Sequence, residues 1–144
     1  MSNFEMSEWI DRPVKEVFDF ISFPPNAAKF IDNIQAGHKL SDGPTRVGTR
    51  FSETRVVNGK EATTELEVSE YEPPNTFGIL NETMGITVKY IYSFTPESKG
   101  TRVNWACELE AGGLKKMMLP MIAGLMKKED GDHLQKVKNL LEKK

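Results

Sequence analysis

The chain has 144 residues, enough for one domain that buries about two-thirds of its unfolded surface. Hydrophobic residues make up 38% of it and charged residues 28%, with a net charge of −2, which excludes a disordered chain and, with no arginine-rich stripe, argues against nucleic acid. No apolar run reaches the roughly 18 residues of a membrane helix, and a single cysteine, Cys107, excludes an internal disulfide and zinc sites built on cysteine pairs.

The first five residues, Met1 to Glu5, carry neither a basic cluster nor an apolar stretch, so no secretory signal is expected. With the lone cysteine, this points to the cytoplasm. Phe4, Met6, Glu8 and Ile10 alternate with Glu5, Ser7 and Trp9, which predicts a strand. Asp11 and Pro13 then read as the cap and first turn of a helix whose apolar face is Val14, Val17, Phe18 and Ile21. Pro24 and Pro25 break that helix, and a second short helix is expected from Ala27 to Asp32 with Phe30 and Ile31 inward.

Six strands are expected next, from Ile34 to Leu40, Val47 to Val57, Lys60 to Tyr71, Thr76 to Asn81, Ile86 to Thr95 and Thr101 to Glu110. Asn58-Gly59 is a strong signal for a two-residue type I′ hairpin turn. That turn sets a register in which Val57 faces Lys60, Arg55 faces Ala62, Glu53 faces Thr64, Phe51 faces Leu66 and Thr49 faces Val68. Phe51, Leu66 and Val68 mark the buried side, so Glu53, Arg55 and Thr64 are carried inward with them. Val88, Tyr90, Tyr92 and Phe94 share one face of their strand, as do Val103, Trp105, Cys107 and Leu109 of theirs.

The segment from Leu114 to Lys144 is long and periodic enough for a single helix of about 40 Å. Its apolar stripe includes Met118, Met121, Ile122 and Leu125, then Leu134, Val137 and Leu141. The line of the first half runs on into Glu129, Asp132 and His133. A bend near Pro120, Gly124 or Gly131 that exposes this side to solvent is the preferred explanation, and polar residues facing a cavity is the other. Eight lysines against four acids give the segment a charge of +4, and the rest of the chain carries −6. The lysines are read as a solvated face rather than a membrane-docking one.

The order β-α-α-β6-α, the stretch Ile10-Asp11-Arg12-Pro13-Val14 through Phe18, and the strand starts Val47-Gly48-Thr49 and Gly100-Thr101-Arg102-Val103 together resemble the polyketide cyclase/dehydrase family. That family lies in the START-like (SRPBCC) superfamily, and the resemblance covers the whole chain as a single domain. It implies an α+β helix-grip fold, a curved antiparallel sheet of about seven strands around a long C-terminal helix. It further implies a deep apolar cavity between them that takes a small hydrophobic molecule, whether lipid, polyketide-like or aromatic.

The residues expected to line that cavity are Phe51, Glu53, Arg55, Thr64, Leu66, Tyr90, Tyr92, Trp105, Met118, Met121, Ile122 and Leu125. Glu53 is suited to acid/base work or to a ligand hydroxyl, and Arg55 to a ligand carboxylate. Met84, Met117, Met118, Met121 and Met126 suit an adaptable pocket or a gap-filling core. Cys107, with no basic neighbour, reads as an inert buried thiol. His133 has too few converging ligands for a metal site, and no cofactor is expected. No catalytic motif of the family stands in this sequence, so carrier, cyclase- or dehydratase-type enzyme and membrane- or partner-docking domain all remain open, as do monomer and homodimer.

Overall fold

The computed structural model describes residues 3–143. The alternating N-terminal segment forms strand β1 (Phe4–Ile10), and helix α1 (Val14–Ile21) buries Val17, Phe18 and Ile21. Asp11 does not cap this helix. Pro13 holds the cap position, and the Asp11 backbone N–H donates instead to Glu142 Oε2 at 2.8 Å. A 3₁₀ turn over Pro24–Lys29 replaces the expected helix at 27–32. The paired prolines occupy its first two positions, where their fixed φ presets the turn and their missing N–H groups leave no bond unmade. Phe30 and Ile31, just beyond, are buried.

Strands β2 (Ile34–Lys39), β3 (Arg50–Val57), β4 (Lys60–Glu72), β5 (Thr76–Thr83), β6 (Ile86–Glu97) and β7 (Gly100–Ala111) follow. With β1 they make one antiparallel sheet in the order β1-β7-β6-β5-β4-β3-β2. The β3–β4 register is the expected one, with Phe51 opposite Leu66, Glu53 opposite Thr64 and Arg55 opposite Ala62. Asn58 and Gly59 take φ of 53° and 77°, as a type I′ turn demands. The loop expected after Asn81 is instead a second two-residue turn at Met84-Gly85, with φ of 55° and 80°, so β5 and β6 run on to it. Register shifts between Ile34 and Ala36 and between Val68 and Glu70 bend the sheet, as bulges do.

The C-terminal helix that closes the concave face is not continuous from Leu114. Gly113–Met118 is a 3₁₀ turn, followed by α2 (Leu119–Asp130) and α3 (His133–Glu142). Pro120 sits in the first turn of α2, where its missing N–H leaves no intrahelical bond unmade; it starts the helix rather than kinking it. The break falls at Gly131-Asp132, and a Cβ on Gly131 would overlap the Lys127 carbonyl oxygen.

Beyond the break, Leu134, Val137 and Leu141 are buried. Lys138 donates to the Trp9 carbonyl at 2.9 Å, with its ammonium 5.2 Å above the Trp9 ring, and so ties α3 to β1. The first half of the segment is docked far less closely: Leu114 is 85%, Met117 79% and Met121 66% exposed. Among the described residues no helix is long and apolar enough to cross a membrane.

Candidate functional site

Sheet curvature leaves a cavity of about 290 Å³ beneath α2 and the Pro24–Lys29 turn. Its walls are Ile21, Phe30 and Ile31 on the helical side, Leu66, Phe77, Ile79 and Val88 on the sheet, and Leu125 and Met126 from α2. Charged and polar groups enter this apolar surface from β3, β4, β5 and β6 and from the end of α2: Glu53, Arg55, Thr64, Asn81, Thr83, Tyr90, Tyr92 and Glu129.

Arg55 organises these groups. Its Nε donates to Glu53 Oε1 at 2.9 Å, and its Nη1 and Nη2 donate to the two carboxylate oxygens of Asp130, each at 3.2 Å. The Tyr90 hydroxyl donates to Asp130 Oδ2 at 2.6 Å, and Glu129 stands 3.9 Å from the guanidinium. Asp130 is fully buried. Such a charge is tolerable inside a protein only when paired and hydrogen-bonded, as it is here by the fork of Arg55 and the phenol of Tyr90. Burial by itself would lower the pKa of Arg55, but attraction from Glu53 and Asp130, with their hydrogen bonds, outweighs it and raises the value. Burial, then the charge of Asp130, pushes the Tyr90 phenol well above its ordinary range, so it stays a donor.

His133 closes the helix break. Its Nδ1 is 2.6 Å from the backbone carbonyl of Asp130, which can only accept, so Nδ1 carries the proton. Nε2 is then the acceptor for the Tyr92 hydroxyl at 3.0 Å. The ring is fully buried and packs edge-on against Trp105, with centroids 4.4 Å apart. Burial lowers its pKa below the usual histidine value, against opposing contributions from the Asp130 backbone bond and from the Asp130 and Asp132 charges, with Arg55 adding slightly to the lowering.

The sign of the resulting pH effect follows directly. The unfolded chain binds a proton near pH 6.5 and the folded chain only at lower pH, so stability is fully present above about pH 6.5 and declines as pH falls through the window below it. His133→Gln is expected to flatten that decline below about pH 6.5, measured as urea midpoints across pH. An unchanged slope would assign the acid limb to other groups.

Of the twelve residues expected at the cavity, Glu53, Arg55, Thr64, Leu66, Tyr90, Tyr92 and Leu125 line it. Phe51 and Trp105 are fully buried in the core instead, Trp105 lying behind Tyr90 with ring centroids 5.1 Å apart. Ile122 packs on the core without reaching the cavity. Met118 and Met121 face outward, because the 3₁₀ turn and the start of α2 rotate the predicted stripe away from the sheet. Of the five methionines, only Met126 reaches the cavity, while Met84 and Met117 are 80% and 79% exposed.

Asp130 and His133 were not among the twelve. The legible signal was the polar continuation of the helix stripe, whose explanation as a solvent-exposed bend fails for His133 and for Glu129, though it holds for Asp132. Cys107 is a buried thiol whose pKa burial, with Asp130 and Glu108, pushes up to about 12, so it is a poor nucleophile. Among the described residues no group of three or more His, Cys, Asp and Glu is arranged to hold a metal ion.

A curved antiparallel sheet gripping a C-terminal helix over an internal cavity defines a START-like, helix-grip protein. The family model for polyketide cyclase/dehydrase and lipid transport matches residues 1–142, and the chain belongs to that family. Among solved structures it is similar to Ara h 8.0201, with 14% identity, a TM-score of 0.76 and coverage of 98% of this chain and 97% of that one. A protein of Thermus thermophilus shares 16% identity at a TM-score of 0.73, covering 94% and 93% of the two chains. The di-domain ARO/CYC BexL from the BE-7585A biosynthetic pathway shares 16% identity at a TM-score of 0.79, over 99% of this chain and 47% of that one. At such identities these likenesses establish the fold. No curated protein matches the chain by sequence.

Proposed function

We propose that this protein binds a small, largely apolar molecule, of lipid, polyketide-like or aromatic type, in the cavity between the sheet and α2. The observation that carries the reading is the cavity itself, about 290 Å³ walled by aliphatic and aromatic side chains with a few convergent polar groups. A core built only for stability would fill that volume, since unfilled space costs dispersion contacts and packing energy. Membership of a family described by polyketide cyclisation, dehydration and lipid transport agrees with it.

The test is titration with an environment-sensitive apolar dye, followed by native mass spectrometry of the purified protein for retained ligand. Leu66→Trp, which fills the cavity from β4, is expected to weaken dye binding by more than about tenfold, roughly 1.4 kcal/mol. Dye affinity unchanged in a folded Leu66→Trp protein would place the bound dye elsewhere.

A second reading, turnover of the bound molecule, is favoured by one feature. Glu53 lines the cavity and uses only Oε1 on Arg55, which leaves Oε2 without a protein partner among the described residues. A carboxylate so placed is suited to proton transfer. If it transfers protons, Glu53→Gln abolishes turnover while affinity for an uncharged ligand stays within about tenfold.

A further inference from the structure

We infer that the polar end of this cavity takes a hydrogen-bond donor, a phenolic or alcoholic hydroxyl or an ammonium group, and disfavours a carboxylate. The inference rests on the cavity being the binding site. An arginine in an apolar pocket invites the opposite expectation, that it clamps an acid. Here the guanidinium is already committed. Its Nε serves Glu53, and its two terminal nitrogens serve both oxygens of buried Asp130. Only one N–H on each terminal nitrogen remains, and Glu129 faces Nη1 at 3.9 Å.

Three carboxylates thus stand around one guanidinium, a formal charge of −2 at the end of an apolar cavity. An incoming anion meets net repulsion where water screens poorly. Around Arg55 the unmet capacity is for donors, while the Thr64 hydroxyl and the Asn81 amide, uncharged, also line the cavity. Glu53 is nine-tenths buried and lines the cavity, and its Oε2 has no protein donor among the described residues. Glu129 lines the same space and makes no hydrogen bond there among the described residues. Tyr90 cannot supply either of them, because its proton is held by Asp130 at 2.6 Å. A ligand hydroxyl or ammonium would satisfy Glu53 Oε2, whereas a carboxylate would leave it unpaired and add a like charge.

The test uses three probes with one apolar body: 2-naphthol, 2-naphthylmethylammonium and 2-naphthoate, titrated calorimetrically at pH 7 against the full chain. The naphthol and the ammonium are expected to bind at least tenfold tighter than the naphthoate. Glu53→Gln is expected to shrink the gap to within threefold, chiefly by tightening naphthoate. Glu129→Gln, at a partly exposed position, is expected to narrow it two- to fivefold and serves if Glu53→Gln does not fold. Dye binding combined with equal, reversed or undetectable probe affinities overturns this inference alone. Failure of the dye and of all three probes overturns the cavity-binding reading and this inference with it.

Discussion

Asp130→Ala is expected to destabilise the protein by about 3–5 kcal/mol, because it takes the acceptors from both terminal nitrogens of Arg55 and leaves Glu53 as the guanidinium's hydrogen-bonded partner. It also takes the acceptor from the Tyr90 hydroxyl, now 2.6 Å from Asp130. For a domain of this size the loss corresponds to a fall in Tm of more than about 10 °C, read by thermal or urea unfolding. The control is the triple variant Glu53→Leu, Arg55→Met, Asp130→Leu, which removes the hydrogen-bonded cluster as a unit and leaves no buried carboxylate unpaired. Replacing buried ion pairs by packed apolar groups is commonly neutral or stabilising, so the triple variant should recover most of the single variant's loss. A cost below about 1 kcal/mol for Asp130→Ala would mean that water reaches the cluster, and the low-dielectric premise of the donor preference would fall with it.

Trp105→Ala is expected to cost a similar 3–5 kcal/mol, for a different reason. Trp105 is the largest of the fully buried side chains, wedged among Phe4, Tyr90 and His133 with ring centroids at 5.0, 5.1 and 4.4 Å. Its loss leaves a hole that the rigid sheet around it closes only in part. Yet Trp105 does not line the cavity, so wherever the variant is still folded, apolar dye affinity is expected to stay within a few-fold of the parent. Its indole N–H has no hydrogen-bond partner among the described residues, so Trp105→Phe, which removes that N–H and keeps a ring, should cost much less than the alanine variant. In the parent protein a ligand touching Tyr90 is expected to shift Trp105 emission through the ring contact between them. Dye affinity that collapses in folded Trp105→Ala would show that the core and the cavity wall act as one unit.

Much of the frame was legible from residues alone. Period-two alternation marked the strands, and the Asn58-Gly59 turn, which needs positive φ at both positions, set a register that placed Glu53, Arg55 and Thr64 on the buried side. These are local rules, carried by backbone sterics and by the alternation of side chains across a strand. The resemblance of the whole element order then pointed to the sheet-and-helix grip, which the family match and the neighbouring folds bear out.

What local rules could not decide was the rotation and continuity of the closing helix. Periodicity placed Met118 and Met121 toward the sheet, but the 3₁₀ start at Gly113 and the close approach at Gly131 turn the stripe, so those methionines face outward while Asp130 and His133 are buried. An aspartate and a histidine in a lysine-rich helix look like surface residues in sequence. Their burial is favourable only because Arg55 and Tyr90, 75 and 40 residues away, and Tyr92, on β6, arrive with matching donors. That pairing exists only once the sheet has curved over the helix, and it decides both that the cavity has a charged end and which sign of charge that end carries.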